Sequence, residues 1–109
     1  MDIEHFILRD GPQRVAPFSH AVRAGEYLFI TGQMPTFKND NARLVPGGIE
    51  EQTHQVMKNL MDVLKSTGSS LEKVIFARVY LVNFGDFEKM NVVYKSYFAT
   101  QKLPARTCI

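Results

Sequence analysis

The chain lacks most of the features that assign a protein quickly to a class. Its 109 residues include one cysteine, so no disulfide can form within the chain and the sequence suits a reducing compartment. No apolar run approaches the roughly 20 residues that a membrane-spanning helix needs. The first residues have neither the basic nor the apolar region of a signal peptide, and no mitochondrial transit peptide is visible. We therefore expect a cytoplasmic location, with a mitochondrial location as the alternative, and no membrane contact.

Charge and motifs exclude further classes of protein. The 13 basic and 11 acidic residues give a net charge of +2, and the basic residues are scattered, which weighs against nucleic-acid binding. His5, His20 and His54 lack metal-ligand spacing with each other or with Cys108, so we predict no metal site. The sequence also contains no phosphate-binding glycine loop and no Gly-x-Ser-x-Gly elbow.

The remaining pattern is that of one globular domain over residues 1–109, with 45% apolar and 22% charged residues. Runs of aromatic and β-branched residues predict strands, and apolar residues at three- and four-residue spacing predict helices. The polar stretch 36–48 is predicted to be a loop. Strands are predicted at 3–8, 19–24, 27–33, 74–82 and 106–109, and helices at 49–67 and after an N-cap at Asp86.

The order of these elements predicts an α+β fold, a two-layer sandwich in which two helices cover one face of a mixed sheet. The run from Val74 to Val82 is apolar at nearly every position, so both of its faces should be at least partly covered. Two helices cover only one face, and the chain has nothing left for the other. The sequence therefore predicts an oligomer.

The C-terminal residues are the strongest candidate for a site. Pro104 ends any preceding helix, and the residues after it read as a strand in which Arg106 and Cys108 point to the same face. A planar guanidinium suits bidentate recognition of a carboxylate. The alternative is a surface arginine followed by a buried cysteine. Two further residues stay ambiguous: Gly32 is a strand bulge or faces a ligand, and Asn91 bonds locally or contacts a ligand.

Several segments together resemble the RidA (YjgF-like) reactive-intermediate deaminases, in the same order and from about Pro12 to the end of the chain. The stretch Pro-Ala-Arg-Thr-Cys at 104–108 is the most specific, and each of the others alone is a weak signal. The others are Ala16–Val22, Thr31–Pro35, Gly48–Thr53, Val79–Leu81, and Asp86-Phe87 with Met90-Asn91 and Tyr94.

The resemblance implies a chorismate-mutase-like fold and a homotrimer whose sheets form a central barrel, with clefts between subunits. It also implies hydrolytic deamination, because enzymes of this family convert 2-imino and enamine acids released by pyridoxal-phosphate enzymes to 2-keto acids and ammonia. No cofactor is needed. The expected activity is that of a 2-iminobutanoate/2-iminopropanoate deaminase, and the expected ligand is a small 2-imino or keto acid.

Carried over by motif, the catalytic residues would be Arg106, which clamps the substrate carboxylate, and Cys108. The family often has tyrosine at the position of Phe18, so that hydroxyl is absent here. The family also continues past Ile109 with a strand segment that carries a water-activating glutamate, so the resemblance implies a RidA-like domain without that last segment. The substrate-binding residues would be Arg106, Phe18, Thr31, Gly32, Asn91 and Cys108.

Two other functions remain open. One is a binding module that holds small carboxylates or keto acids without turnover, since a single arginine supports binding. The other follows from the same resemblance, because some members of the family are described as endoribonucleases or translation inhibitors. The near-neutral charge and the lack of a basic stripe argue against dedicated RNA binding in this chain.

Overall fold

Two helices pack against one side of the strands in the computed structural model, which describes residues 2–109. The helices are α1 (Ile49–Ser66) and α2 (Phe87–Lys95), and single 3₁₀ turns lie at Leu71–Lys73 and Phe84–Asp86. This arrangement confirms the predicted α+β fold. The strands are β1 (Ile3–Phe6), β2 (Ala21–Ala24), β3 (Tyr27–Ile30), β4 (Thr36–Phe37), β5 (Asp40–Leu44), β6 (Phe76–Val79) and β7 (Ala105–Cys108).

The strands are hydrogen-bonded in three groups. β1, β2 and β3 form an antiparallel sheet in that order. The turn between β2 and β3 contains Gly25, whose φ of 62° is a left-handed conformation that glycine adopts without strain. β6 and β7 pair in parallel, with Ala77 opposite Arg106 and Val79 opposite Cys108. β4 and β5 form a separate hairpin.

The core lies between the helices and the inward-facing side chains of β6 and β7. Met57 of α1 is buried together with Met90 and Tyr94 of α2. Val79 and Cys108 pack against this cluster. Exposed and half-buried residues alternate along β6 and β7, as expected for strands with one face on a core.

Residues 36–48 do not form the predicted loop, because the β4–β5 hairpin lies inside this stretch. The hairpin is attached to α1 through the buried amide of Asn59, which donates to the carbonyl of Thr36 at 3.0 Å and to that of Met34 at 3.1 Å. The oxygen of the same amide accepts from Gln55 at 3.0 Å. The sequence pattern did not predict this hairpin, because β5 is mostly exposed and Asn59, which anchors the hairpin, is 23 residues from Thr36.

Replacing Asn59 with leucine tests this anchor. The variant introduces an apolar side chain of similar shape and leaves the two carbonyls without these donors, so we expect the free energy of unfolding to fall by about 2–4 kcal/mol. Lys58→Leu, at the exposed neighbouring position, is the matched control and should change stability by less than about 0.5 kcal/mol. Urea unfolding at equal protein concentration measures both. Equal stabilities would contradict the anchoring role.

Candidate functional site

Strand β7 and helix α2 bring together three of the residues expected in the site. Arg106 and Cys108 are both half-buried, and their neighbours Ala105 and Thr107 are exposed, so the prediction that they share a face is confirmed. The Arg106 guanidinium carbon lies 4.9 Å from the centre of the Tyr94 ring of α2. Asn91 precedes Tyr94 by three residues, so it lies on the same face of the helix.

The guanidinium of Arg106 has aromatic neighbours and no acidic one. Its carbon also lies 5.6 Å from the centre of the Phe87 ring, one further turn back along α2 from Asn91. The ion pairs within residues 2–109 join Arg23 to Glu4 and Lys38 to Asp62, and neither includes Arg106. Its N–H groups are therefore available to an anion from outside the chain.

Two buried polar atoms lie on the same face of α2. The Oδ1 atom of Asn91 and the hydroxyl of Tyr94 are shut off from solvent and have no hydrogen-bond partner among residues 2–109. Burial raises the pKa of Tyr94, and the nearby charge of Arg106 offsets part of that increase. The hydroxyl is therefore neutral at physiological pH. Unpaired buried polar atoms cost stability, and they concentrate here beside a free arginine.

Cys108 has apolar surroundings. Its side chain packs against the buried cluster of Met57, Met90 and Tyr94, and within residues 2–109 no three His, Cys, Asp or Glu side chains are grouped to hold a metal ion. No hydrogen bond to its sulfur is formed within the described chain. In this chain Cys108 therefore packs on the core, on the same face of β7 as Arg106.

The other three expected residues lie elsewhere. Phe18, Thr31 and Gly32 line a small cavity whose wall includes none of Asn91, Arg106 and Cys108. The Thr31 hydroxyl donates to the carbonyl of Ser19 at 2.6 Å and fixes the end of β3 to the preceding connection. The six residues thus fall into two groups that do not line one cavity within the described chain. We call them the arginine half-site (Asn91, Arg106, Cys108) and the glycine half-site (Phe18, Thr31, Gly32).

Gly32 is not required by the packing of its own chain. It lies beyond the end of β3 and is exposed, so it is not a bulge inside a strand. A Cβ atom at this position would meet no atom within 4 Å, and its φ is outside the left-handed region. Gly32 therefore leaves an open patch of exposed backbone, without a side chain, at the edge of the glycine half-site.

His20 supports the glycine half-site, a role that sequence patterns did not reveal. It is buried, and its Nδ1 atom accepts from the Leu8 N–H at 3.0 Å. Its Nε2–H donates to the Pro12 carbonyl at 2.7 Å, so the ring is in the neutral Nε2–H form. A Cβ on Gly11 would lie 2.9 Å from the Leu8 Cβ and 3.1 Å from the same ring nitrogen, which explains why a glycine suits that position.

Exposed apolar side chains lie on one face of the β1–β2–β3 sheet and on one face of the β6–β7 pair, where Arg78 is exposed among them. These two faces together are here called the outer sheet face. Phe29 of β3 is 64% exposed, and Tyr80, just after β6, is 70% exposed. Exposed apolar areas of this kind mark surfaces that contact another molecule. The outer sheet face includes Ile3, Tyr27, Phe29, Phe76, Tyr80 and Ile109.

Neither helix of the described chain is both long and apolar enough to cross a membrane.

This chain is similar to known proteins in both sequence and fold. Residues 9–109 match the family model described as Endoribonuclease L-PSP. A RutC family protein of Pyrococcus horikoshii is 41% identical over 106 residues, which cover 97% of this chain and 82% of the relative. The 2-iminobutanoate/2-iminopropanoate deaminase of Mus musculus is 37% identical over 95 residues, which cover 87% of this chain and 69% of the relative. The crystal structure of the yeast protein YEO7 superposes with a TM-score of 0.92 at 31% identity, covering 99% of this chain and 84% of that one.

Proposed function

Because the chain belongs to the endoribonuclease L-PSP (YjgF/RidA) family, we propose that it hydrolyses 2-imino and enamine acids to 2-keto acids and ammonia. The mouse relative named as a 2-iminobutanoate/2-iminopropanoate deaminase supports this reaction class. The observation that carries the proposal is the free guanidinium of Arg106, which lies beside two aromatic rings and has no acidic partner among residues 2–109. A 2-imino acid supplies the carboxylate that such a group binds.

The proposed reaction depends mainly on how the site positions the substrate relative to the attacking water. Water adds to the carbon of the C=N bond, a proton moves to the nitrogen, and ammonia leaves as the C=O bond of the keto acid forms. Arg106 holds the carboxylate next to this carbon, which fixes the substrate relative to the attacking water. The amide of Asn91, whose Oδ1 atom has no partner among residues 2–109, is the polar side chain of this half-site on α2, and Cys108 packs on the core at the other end of the half-site.

We further propose that a working site takes its arginine half-site from one copy of the chain and its glycine half-site from a neighbouring copy. Within one chain the two half-sites line different surfaces, and Gly32 presents an open surface. The apolar outer sheet face supplies a reason for copies to associate. A homotrimer with clefts between subunits, as the resemblance to the family implies, brings the two half-sites together.

A keto-acid-binding module without turnover is the second candidate. No carboxylate among residues 2–109 lies within 4 Å of the Arg106 guanidinium, so the described chain supplies no acidic group beside it to act as a general base. Binding requires only the cation and its aromatic neighbours. This candidate predicts affinity for 2-oxobutanoate with no effect on the lifetime of an imine.

The two candidates are separated by imine clearance. An amino-acid oxidase generates 2-iminobutanoate in solution, and semicarbazide traps whatever imine is not hydrolysed. We expect the added protein to lower the yield of semicarbazone in proportion to its concentration, because it hydrolyses the imine before it is trapped. An unchanged yield with folded protein, together with measurable 2-oxobutanoate binding, would favour the binding module.

A further inference from the structure

Arg106 lies beside a row of aromatic rings that runs along α2 and the turns before and after it. At one end of the row, the Phe84 and Phe87 rings stack with their centres 4.8 Å apart and their planes 19° from parallel. At the other end, the rings of Tyr94 and Phe98 lie 5.0 Å apart. The guanidinium carbon lies 5.6 Å from the centre of the Phe87 ring and 4.9 Å from the centre of the Tyr94 ring.

Helix geometry explains why one cation meets both rings. Phe87 and Tyr94 are seven residues apart, which is close to two turns, so they lie on one face of α2 with a rise of roughly 10 Å between them. The guanidinium is within about 6 Å of both ring centres, which is close enough for each ring to attract the cation. Arg106 reaches these rings because its side chain lies on the half-buried face of β7, which faces the helices. Attraction between a cation and an aromatic face favours this position.

We propose that Phe87 and Tyr94 are positioning residues that hold the Arg106 guanidinium against their rings, so that its N–H groups are already oriented for a carboxylate. An unrestrained arginine loses considerable side-chain entropy when it binds a ligand, and a guanidinium fixed in advance loses less. The rings also remove water from its flat faces, which strengthens the electrostatic attraction at its edge. Ligand affinity therefore depends on two side chains that do not contact the ligand.

The inference rests on the proposed function only for its turnover readout, because carboxylate binding is measured separately. The key variant is Phe87→Leu, which keeps an apolar side chain and removes the ring. We expect the dissociation constant for 2-oxobutanoate, measured by calorimetry, to rise roughly three- to tenfold. In imine clearance the KM should rise by a similar factor while kcat changes less than about twofold, since the ring acts on substrate binding through Arg106.

Conservative variants separate positioning from packing. Phe87→Tyr and Tyr94→Phe retain the rings and should keep the dissociation constant within about twofold of wild type, whereas Tyr94→Leu should weaken binding like Phe87→Leu. The matched control is Phe84→Leu, which removes a ring of the same row that does not contact Arg106. It should leave affinity within about twofold.

The outcomes that overturn the inference are specific. Wild-type affinity in Phe87→Leu, with only a lower melting temperature, would mean that Phe87 merely packs. An equal loss in Tyr94→Phe and Tyr94→Leu would mean that the hydroxyl, not the ring, matters. Failure of the wild type to bind 2-oxobutanoate would refute the inference outright. Ring-dependent binding without imine clearance would instead support it and refute the proposed hydrolysis.

Discussion

Replacing Arg106 with alanine is expected to lower kcat/KM for 2-iminobutanoate clearance by roughly 100-fold or more. The variant removes the only group of the arginine half-site that carries a fixed positive charge, and truncating one partner of a hydrogen-bonded charge pair typically costs about 2–5 kcal/mol. Stability should fall by no more than about 1–2 kcal/mol, because the guanidinium has no ion pair within residues 2–109 and loses only its contacts with the Phe87 and Tyr94 rings. The semicarbazide assay gives the rate, and thermal unfolding checks the fold.

Two further variants sharpen this result. Arg106→Lys keeps the charge but lacks the planar fork, so it should recover only part of the activity. Arg43→Ala is the matched control, since Arg43 also lies over an aromatic ring, 4.1 Å from the centre of Phe37, but belongs to the β4–β5 hairpin. We expect it to be fully active. Near-normal activity of Arg106→Ala would contradict the proposed carboxylate clamp.

The second large effect is expected at the outer sheet face. The double variant Phe29→Glu and Tyr80→Glu places carboxylates on two side chains that are 64% and 70% exposed in a single chain, so the fold of that chain should tolerate them. In an oligomer that buries this face, the same charges would be desolvated and would repel their symmetry mates, at a cost of several kcal/mol. We expect the wild type to be trimeric and the variant to sediment as a 12.4 kDa monomer.

Val92→Glu is the control for this experiment. Val92 is 61% exposed on α2 and not on the outer sheet face, so the added charge stays in water and the oligomer should persist. Sedimentation velocity distinguishes the species. A double variant that sediments like the wild type would contradict the role of the outer sheet face in association. If the monomer also fails to clear imines, the site depends on assembly.

The sequence predicted the elements that depend on local pattern. The apolar spacing along 49–67 specified α1 to within one residue, and the alternation after Pro104 specified which side chains of β7 share a face. Strand ends were predicted less well: β3 ends at Ile30, before Gly32, and β6 covers only Phe76–Val79 of the apolar run. Hydrogen-bonded partners, and not composition, decide where a strand ends.

Features that depend on distant contacts were missed for the same reason. The β4–β5 hairpin is held by Asn59 from another element, and nothing in its own polar sequence indicates a strand pair. Asp86 precedes α2 as predicted, but its side chain makes no capping hydrogen bond, and Asn83 accepts from Gly85 in the turn before it.

The arginine half-site was partly visible in the sequence. The apolar stripe of α2 already put Phe87 and Tyr94 on the face that carries Asn91, at spacings of four and three residues. What the stripe could not indicate is that a cation from β7 enters it, because that contact joins elements separated along the chain. The separation of the two half-sites within one chain likewise depends on tertiary structure and has no local signature.

Complementation between two inactive variants tests the shared site most directly. Arg106→Ala disables the arginine half-site, and Gly32→Phe fills the glycine half-site at a position where the chain itself leaves room for a side chain. Each alone should be inactive in imine clearance. If every site combines half-sites from two copies, random mixed oligomers from an equal mixture should regain about a quarter of wild-type activity, because about one site in four receives both intact halves. Mixed oligomers that form, as verified by two affinity tags, yet stay inactive would contradict a site shared between copies.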